Sequence, residues 1–321
     1  RVLVRSAAAE LERYLTFLRT CSAWWYADHS FGNQDLEKWT SCSEIRHVLE
    51  TKDHVTICVE SKERTWELMI YPVVGGFRMV AGKKGFFDGK PEAFSMEESE
   101  HAYIIRSKEH EMILKKETLE ISIDRKAITN LKNISFIFEK ESVSASRIQF
   151  SIHENSAIYG FGERFDSVNQ YGKTVALWQR DACEGCLASI GNQAYKNIPL
   201  VHTSDGFSFF ANTSYRMRMD VGDAVQDYLS VEALGDVFDF YIWSGTPREA
   251  MTAYGTLTGL PIFPPEWVFE PWAGGGGGRW RNGPLQDIAL EQMAAMKKFH
   301  ELDIPHSGFY AEGAGATFYG E

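Results

Sequence analysis

The chain predicts a two-sheet β-sandwich followed by a single β-α-β unit. Three observations carry that expectation. Between about residues 53 and 243, short segments rich in β-branched and aromatic residues follow one another, split by Gly, Pro, Asn and charged turns. A helix start and a proline-bearing linker then interrupt the pattern. Beyond the linker the order changes to strand, loop, helix, strand, which is one βαβ unit. With 321 residues, 44% apolar and 13% aromatic, the chain can bury a large core and form more than one unit.

Taken in order, residues 6–20 predict a helix: Leu11, Leu15 and Leu18 fall at three- and four-residue steps, and Ser6 can cap it. Residues 1–50 are therefore expected as an N-terminal helical extension. Residues 51–262 are expected as the sandwich domain, with strands at His54–Val59, Thr65–Tyr71, Leu119–Ile123, Ile134–Phe138 and Phe207–Ala211. Arg216 to Val221 alternates polar and apolar, as a half-buried strand does. Thr246-Pro247-Arg248-Glu249 opens a helix, with a threonine cap, proline at the first helical position and an acid three residues after the cap. That helix ends at Gly255 or Gly259, because Pro261, Pro264 and Pro265 forbid its continuation.

Residues 263–321 form the last segment. Trp267 to Trp272 reads as an apolar strand. Asn282 or Gly283 can cap a helix beginning at Pro284, with Leu285, Ala289, Met293, Met296 and Phe299 along its stripe. Asp287 and Glu291 near its start and Lys297, Lys298 and His300 near its end suit the helix dipole. Ile304 to Glu312 reads as a second strand.

Composition narrows the function classes. Formal charge is −11 with both signs mixed along the chain, whereas a nucleic-acid binder concentrates positive charge. A neutral, hydroxyl-rich ligand such as a sugar asks for no such field. Apolar runs fall short of the ~20 residues a membrane span needs, and no charged-then-apolar leader precedes residue 20. An odd, sparse set of five cysteines predicts reduced thiols and a cytoplasmic setting. Cys183 and Cys186 have metal-ligand spacing, but a zinc site needs four ligands, so they read as two loop thiols. The Gly274–Gly278 run lacks the Gly-Lys-Ser/Thr ending of a phosphate loop, and Tyr159–Asp166 lacks the strand-GxGxxG-helix order of a nucleotide site. No cofactor and no metal are expected. Asn133-Ile134-Ser135 and Asn212-Thr213-Ser214 fit the glycosylation pattern, a short pattern common by chance.

Three phrases stand in a fixed order. They are Tyr159-Gly160-Phe161-Gly162-Glu163-Arg164-Phe165-Asp166; Trp178-Gln179-Arg180-Asp181 with Ala194-Tyr195-Lys196-Asn197-Ile198-Pro199-Leu200; and Pro264-Pro265-Glu266-Trp267-Val268-Phe269-Glu270-Pro271-Trp272. In order and spacing they resemble glycoside hydrolase family 31, the retaining α-glucosidases and α-xylosidases, from about Ile158 to about Glu312. The resemblance implies a mutarotase-like supersandwich followed by the start of a (β/α)8 TIM barrel, an α-linked oligosaccharide or α-glycoside as substrate, and possible homo-oligomers. The sandwich of that family is often an assembly surface.

On their own, Trp178, Arg180 and Asp181 read as a surface Arg–Asp pair beside a core Trp. The resemblance implies instead that Asp181 contacts sugar hydroxyls, with Arg180 supporting it and Trp178 covering an apolar sugar face; a carboxylate accepts two hydroxyl hydrogen bonds in fixed geometry. Glu312 ends the second barrel-type strand, where the family has an Asp that grips the sugar, and strand C-termini are where barrel sites form. Here the longer Glu is followed by small residues, which puts the usual glucose or xylose preference in doubt. Trp272 walls the same pocket or packs as core. The glycines of the first phrase predict close backbone packing, and Glu163-Arg164 a structural ion pair.

Retaining glycosidases use two carboxyls ~5–5.5 Å apart. The resemblance implies an aspartate pair on later barrel strands, the nucleophile inside a Trp-x-Asp-x-Asn-Glu phrase, and no such phrase occurs here. The 56 residues from Glu266 to Glu321 can supply about a quarter of a barrel of ~250 residues. Catalysis by this chain without the remainder of its barrel is not expected. A non-catalytic carbohydrate-binding protein is the alternative; within the family, an α-transglycosidase or α-glucan lyase.

Overall fold

A computed structural model describes residues 39–61, 64–139, 142–178, 194–275 and 285–311. The helix expected over 6–20 lies outside them. The chain divides into two compact units, Arg1–Gly259 and Leu260–Glu321.

The first unit is antiparallel β-structure. An eight-stranded sheet runs, in spatial order, Ile158–Gly162, Asn197–Thr203, Phe207–Ala211, Val237–Ser244, Gly76–Gly82, Thr65–Val73, Val55–Glu60 and Glu44–Glu50. A six-stranded sheet runs Thr40–Ser41, Ile134–Glu139, Ser142–Ser151, Tyr228–Leu234, Met217–Val221 and Lys173–Leu177. A five-stranded sheet is made from the segments between Ser95 and Asn130. The expected alternation holds in Met217–Val221, where Met217, Met219 and Val221 are buried and Arg218 and Asp220 only partly so.

The sheets pack through interdigitated aromatic rings. Phe150 of the six-stranded sheet stacks on Phe209 of the eight-stranded one at 4.4 Å, and Phe136 meets Phe238 edge-on at 5.4 Å. Met112, Leu114, Ile121 and Ile123 extend the same core into the five-stranded sheet. Such layered burial of apolar faces is what makes a sandwich stable.

Among the described residues, Thr40–Ser41 and Glu44–Glu50 are strands, so this part of the expected 1–50 helical extension pairs into the sandwich instead. Glu44–Glu50 is an outer strand, paired with Val55–Glu60. A bulge between Ile45 and His47 lets Ile45 and Val48, three residues apart, both pack on the core. That spacing hides the strand from a period-two reading.

Val237–Ser244 is buried along its whole length because its sheet is covered on both faces. Phe238, Phe240 and Ile242 face the inter-sheet core, whereas Tyr241 and Trp243 join a second cluster with Ala250 and Ala253. These two alanines belong to helix α1, Pro247–Thr258. Its Thr246–Glu249 capping box forms as the sequence predicts, and Gly259 closes it. On the same face a buried polar network ties down residues 83–89. Arg78 meets Asp239 and Asp88, Asn212 bridges Phe87 and Asp239, and Tyr241 accepts from the Gly89 amide while donating to the Phe87 carbonyl. Asn212 is fully buried with its amide engaged, so it is no glycosylation acceptor in the folded chain.

The second unit has strand Trp272–Gly275, helix α2 at Leu285–Glu301 and strand Gly308–Ala311, the two strands parallel from Trp272↔Gly308 to Gly275↔Ala311. This is the expected βαβ order. The apolar run from Trp267 does not form a strand as far as Trp272. Glu266–Phe269 is a 3₁₀ turn, and the strand opens only at Trp272. Pro265, at φ −65°, sets the turn, and Pro271 has no N–H to offer a ladder. Among the described residues no helix is long and apolar enough to cross a membrane.

Candidate functional site

The second sequence phrase leads to a cleft on the first unit. Trp178 directly follows Lys173–Leu177, the outermost strand of the six-stranded sheet. It is 47% exposed, so it is not a core residue, and the Arg216 guanidinium lies 5.6 Å above its ring. Trp178 lines a cavity of about 360 Å³ together with Asn197, Thr213, Ser214, Tyr215 and Met217.

The local backbone explains how these groups meet. Ile158–Gly162 pairs with Asn197–Thr203 so closely that a Cβ on Gly160 would sit 2.2 Å from the Leu200 carbonyl oxygen. A Cβ on Gly162 would sit 2.0 Å from that of Lys196, and both glycines have positive φ. The glycines of the first phrase thus serve close backbone approach, as expected. Arg164, expected to pair with Glu163, donates through Nη2 to the Phe161 carbonyl at 2.9 Å and to Asn197 Oδ1 at 2.6 Å. Burial pushes its guanidinium down to about 10, against the pull of the Asp166 carboxylate, so it remains charged at neutral pH. Asn197 also donates to the Ala194 carbonyl at 3.0 Å, which fixes its amide at the cleft wall.

Tyr215 forms the facing wall. Its ring lies where a Cβ on Gly235 would be, 2.5 Å away, and its hydroxyl donates to Asp236 Oδ1 at 3.0 Å. That hydrogen bond holds the Asp236 carboxyl below the usual carboxylate range. Thr213 Oγ1 accepts from the Tyr215 amide at 3.2 Å and keeps its own proton to donate. The cleft therefore offers one indole, one phenol ring, hydroxyls and an amide, with no carboxylate or ammonium among the described lining residues.

Of the residues singled out in the sequence, Trp178 falls in this cleft. Arg180, Asp181 and Glu312 lie outside the described residues, as do Cys183 and Cys186. Trp272 belongs to the second unit. It is 42% exposed, donates from Nε1 to the Val268 carbonyl at 3.1 Å, packs beside Trp267 at 5.4 Å, and covers Gly308. Tyr215, Ser214, Thr213 and Asn197 also line the cleft, and the sequence reading assigns them no site role. The polar run Asn212-Thr213-Ser214 before an alternating strand is the signal for the first three, and Asn197 lies within the second phrase. Among the described residues no group of three or more His, Cys, Asp or Glu is placed to hold a metal.

Residues 50–220, more than half of the chain, match the family model described as the glycosyl hydrolase 31 N-terminal galactose mutarotase-like domain. An α-xylosidase, XylQ of Lactiplantibacillus pentosus, is 34% identical over 166 residues, covering 51% of this chain and 21% of that protein. α-Glucosidase 2 of Bacillus thermoamyloliquefaciens is 24% identical over 68% of this chain and 27% of its own length. The chain thus spans about a fifth to a quarter of these two curated relatives. The cycloalternan-forming enzyme from Listeria monocytogenes, solved with a pentasaccharide substrate, has a TM-score of 0.71 at 18% identity, covering 85% of this chain and 27% of its own. A GH31 dextranase from Flavobacterium johnsoniae, solved with isomaltotriose, has a TM-score of 0.65 at 21% identity, covering 84% and 34%. At these identities the structural likeness establishes the fold.

Proposed function

The chain belongs to glycoside hydrolase family 31, and on that premise we propose that it is the N-terminal part of a retaining α-glycosidase of the α-glucosidase or α-xylosidase type. Residues 263–321 then begin a (β/α)8 barrel, whose remainder is the partner of the second unit. The observation that carries this reading is the family match over 50–220 on a sandwich followed, in the chain, by a parallel βαβ pair.

Hydrolysis then proceeds by two carboxyl groups supplied beyond these residues. One attacks the anomeric carbon to give a glycosyl-enzyme while the other protonates the leaving oxygen; the second then activates water to release the sugar. Within the given residues, Asp181 and Glu312 are assigned to sugar hydroxyls, Arg180 to support of Asp181, and Trp178 and Trp272 to walls of the substrate site. The sparse cysteines, of which Cys42 and Cys58 are free and buried, are taken to indicate a cytoplasmic setting. Assembly into homo-oligomers through the sandwich is part of the same proposal.

The test is release of nitrophenol from p-nitrophenyl α-glucoside and α-xyloside by the full-length polypeptide carrying this chain. Turnover of either supports the reading; turnover of neither, by folded full-length protein, overturns it. Product analysis separates the alternatives within the family: free sugar marks a hydrolase, transferred sugar a transglycosidase, unsaturated anhydro-sugar a lyase. A second reading, a carbohydrate-binding protein without catalysis, is favoured by one observation, an aromatic cleft whose described lining residues all belong to the first unit.

A further inference from the structure

We propose that the cleft between Trp178 and Tyr215 is itself a binding site for one ring of a neutral pyranoside, held by the sandwich unit without any residue of the barrel. The choice of α-linked pyranosides as ligand rests on the family reading above; the site rests on the geometry of the cleft.

Four features of the cleft match that ligand. Its volume, about 360 Å³, falls within the roughly 300–1,000 Å³ of small-molecule sites. Its described lining residues carry no carboxylate or ammonium, the Arg216 guanidinium lies over the Trp178 ring, and the polar groups it presents are hydroxyls and an amide, the partners a polyol uses. It combines two exposed aromatic surfaces, Trp178 at 47% and Tyr215 at 39%, with hydroxyls at Thr213 and Ser214. A pyranose has the complementary layout, an apolar C–H face bordered by hydroxyls that both donate and accept. The fourth feature is pre-organisation. Asn197 is held by Arg164 and the Ala194 carbonyl, and Tyr215 is pinned between Gly235 and Asp236. These walls need little further ordering when a ligand arrives. The Ser214 hydroxyl takes part in no hydrogen bond among the described residues and is available to a sugar.

The experiment is isothermal titration of the 321-residue chain with isomaltose, maltose and methyl α-D-xylopyranoside, and with sorbitol, which has the hydroxyls but no ring face. Saturable binding of at least one pyranoside, with sorbitol silent, is expected. Tyr215→Ala is expected to weaken it about tenfold and Ser214→Val about fivefold, the scale of losing an aromatic wall or one neutral hydrogen bond. Phe86→Ala, at an exposed ring elsewhere on the unit, is expected to leave binding unchanged. Should Tyr215→Ala lose its native melting transition, Ser214→Val carries the test. No binding of any pyranoside, equal binding of sorbitol, or full affinity in Ser214→Val overturns the proposal. If the chain binds nothing while the full-length protein still cleaves α-glycosides, the cleft assignment fails and the family reading stands. Binding here with no turnover by the full-length protein overturns the hydrolase reading and leaves the cleft in place.

Discussion

The Arg78 guanidinium grips both carboxylate oxygens of Asp239, Nε to Oδ1 at 2.8 Å and Nη2 to Oδ2 at 2.6 Å, with both side chains buried in the eight-stranded sheet. Asp239 Oδ2 also accepts from the Gly85 amide and the Asn212 side chain, each at 2.8 Å. The pair thus converts a sheet face into an anchor for residues 83–89. Removing one partner strands the other charge out of water. Asp239→Asn or Arg78→Met is expected to lower unfolding free energy by about 3–5 kcal/mol, read from urea midpoints. The double variant Arg78→Met/Asp239→Leu should recover a large part of that loss, since it leaves no buried charge behind.

Acid sensitivity follows from Asp124. Burial works to raise its pKa, but the Ser244 hydroxyl, the His110 ring and the Glu111 amide outweigh that and hold it below the usual carboxylate range. A depressed folded pKa contributes stability that is present above the unfolded carboxylate pKa and lost as pH falls through the folded one. Melting temperature measured downward from pH 5 should therefore fall more steeply in the parent than in Asp124→Asn, which is less stable near neutrality but flatter in acid.

Burial pushes the Cys42 thiol up to about 11. The thiolate is the nucleophile, so Cys42 should resist iodoacetamide at pH 8 in the native state and react fully in urea. Peptide mapping by mass spectrometry reads the two conditions directly.

Two glycines with positive φ separate strain from collision. At Gly172 nothing lies within 4 Å of an added Cβ, so Gly172→Ala should cost about 1 kcal/mol, the left-handed backbone penalty alone. At Gly160 the added atom meets the Leu200 carbonyl, and Gly160→Ala should cost clearly more and reduce soluble yield. Equal urea midpoints for the two variants would contradict the close pairing of Ile158–Gly162 with Asn197–Thr203.

These elements differ in how far the sequence reveals them. Met217–Val221 is legible because period-two burial is written into its residue types, and the Thr246–Glu249 cap because its hydrogen bonds are local. Glu44–Glu50 is not, since its bulge breaks the period, and neither is the turn at Glu266–Phe269, where prolines override an apolar run. At the candidate site, Trp178 announces itself within a recognisable phrase. Tyr215 does not, because its position depends on Gly235 and Asp236, which reach it only through the fold.

The central proposal is that this chain begins a retaining α-glycosidase, and proton NMR of the full-length protein acting on an α-glycoside tests it most directly. The account predicts that the α-anomer of the released sugar appears first and mutarotates later. Initial release of the β-anomer, or no release by folded full-length protein, contradicts it.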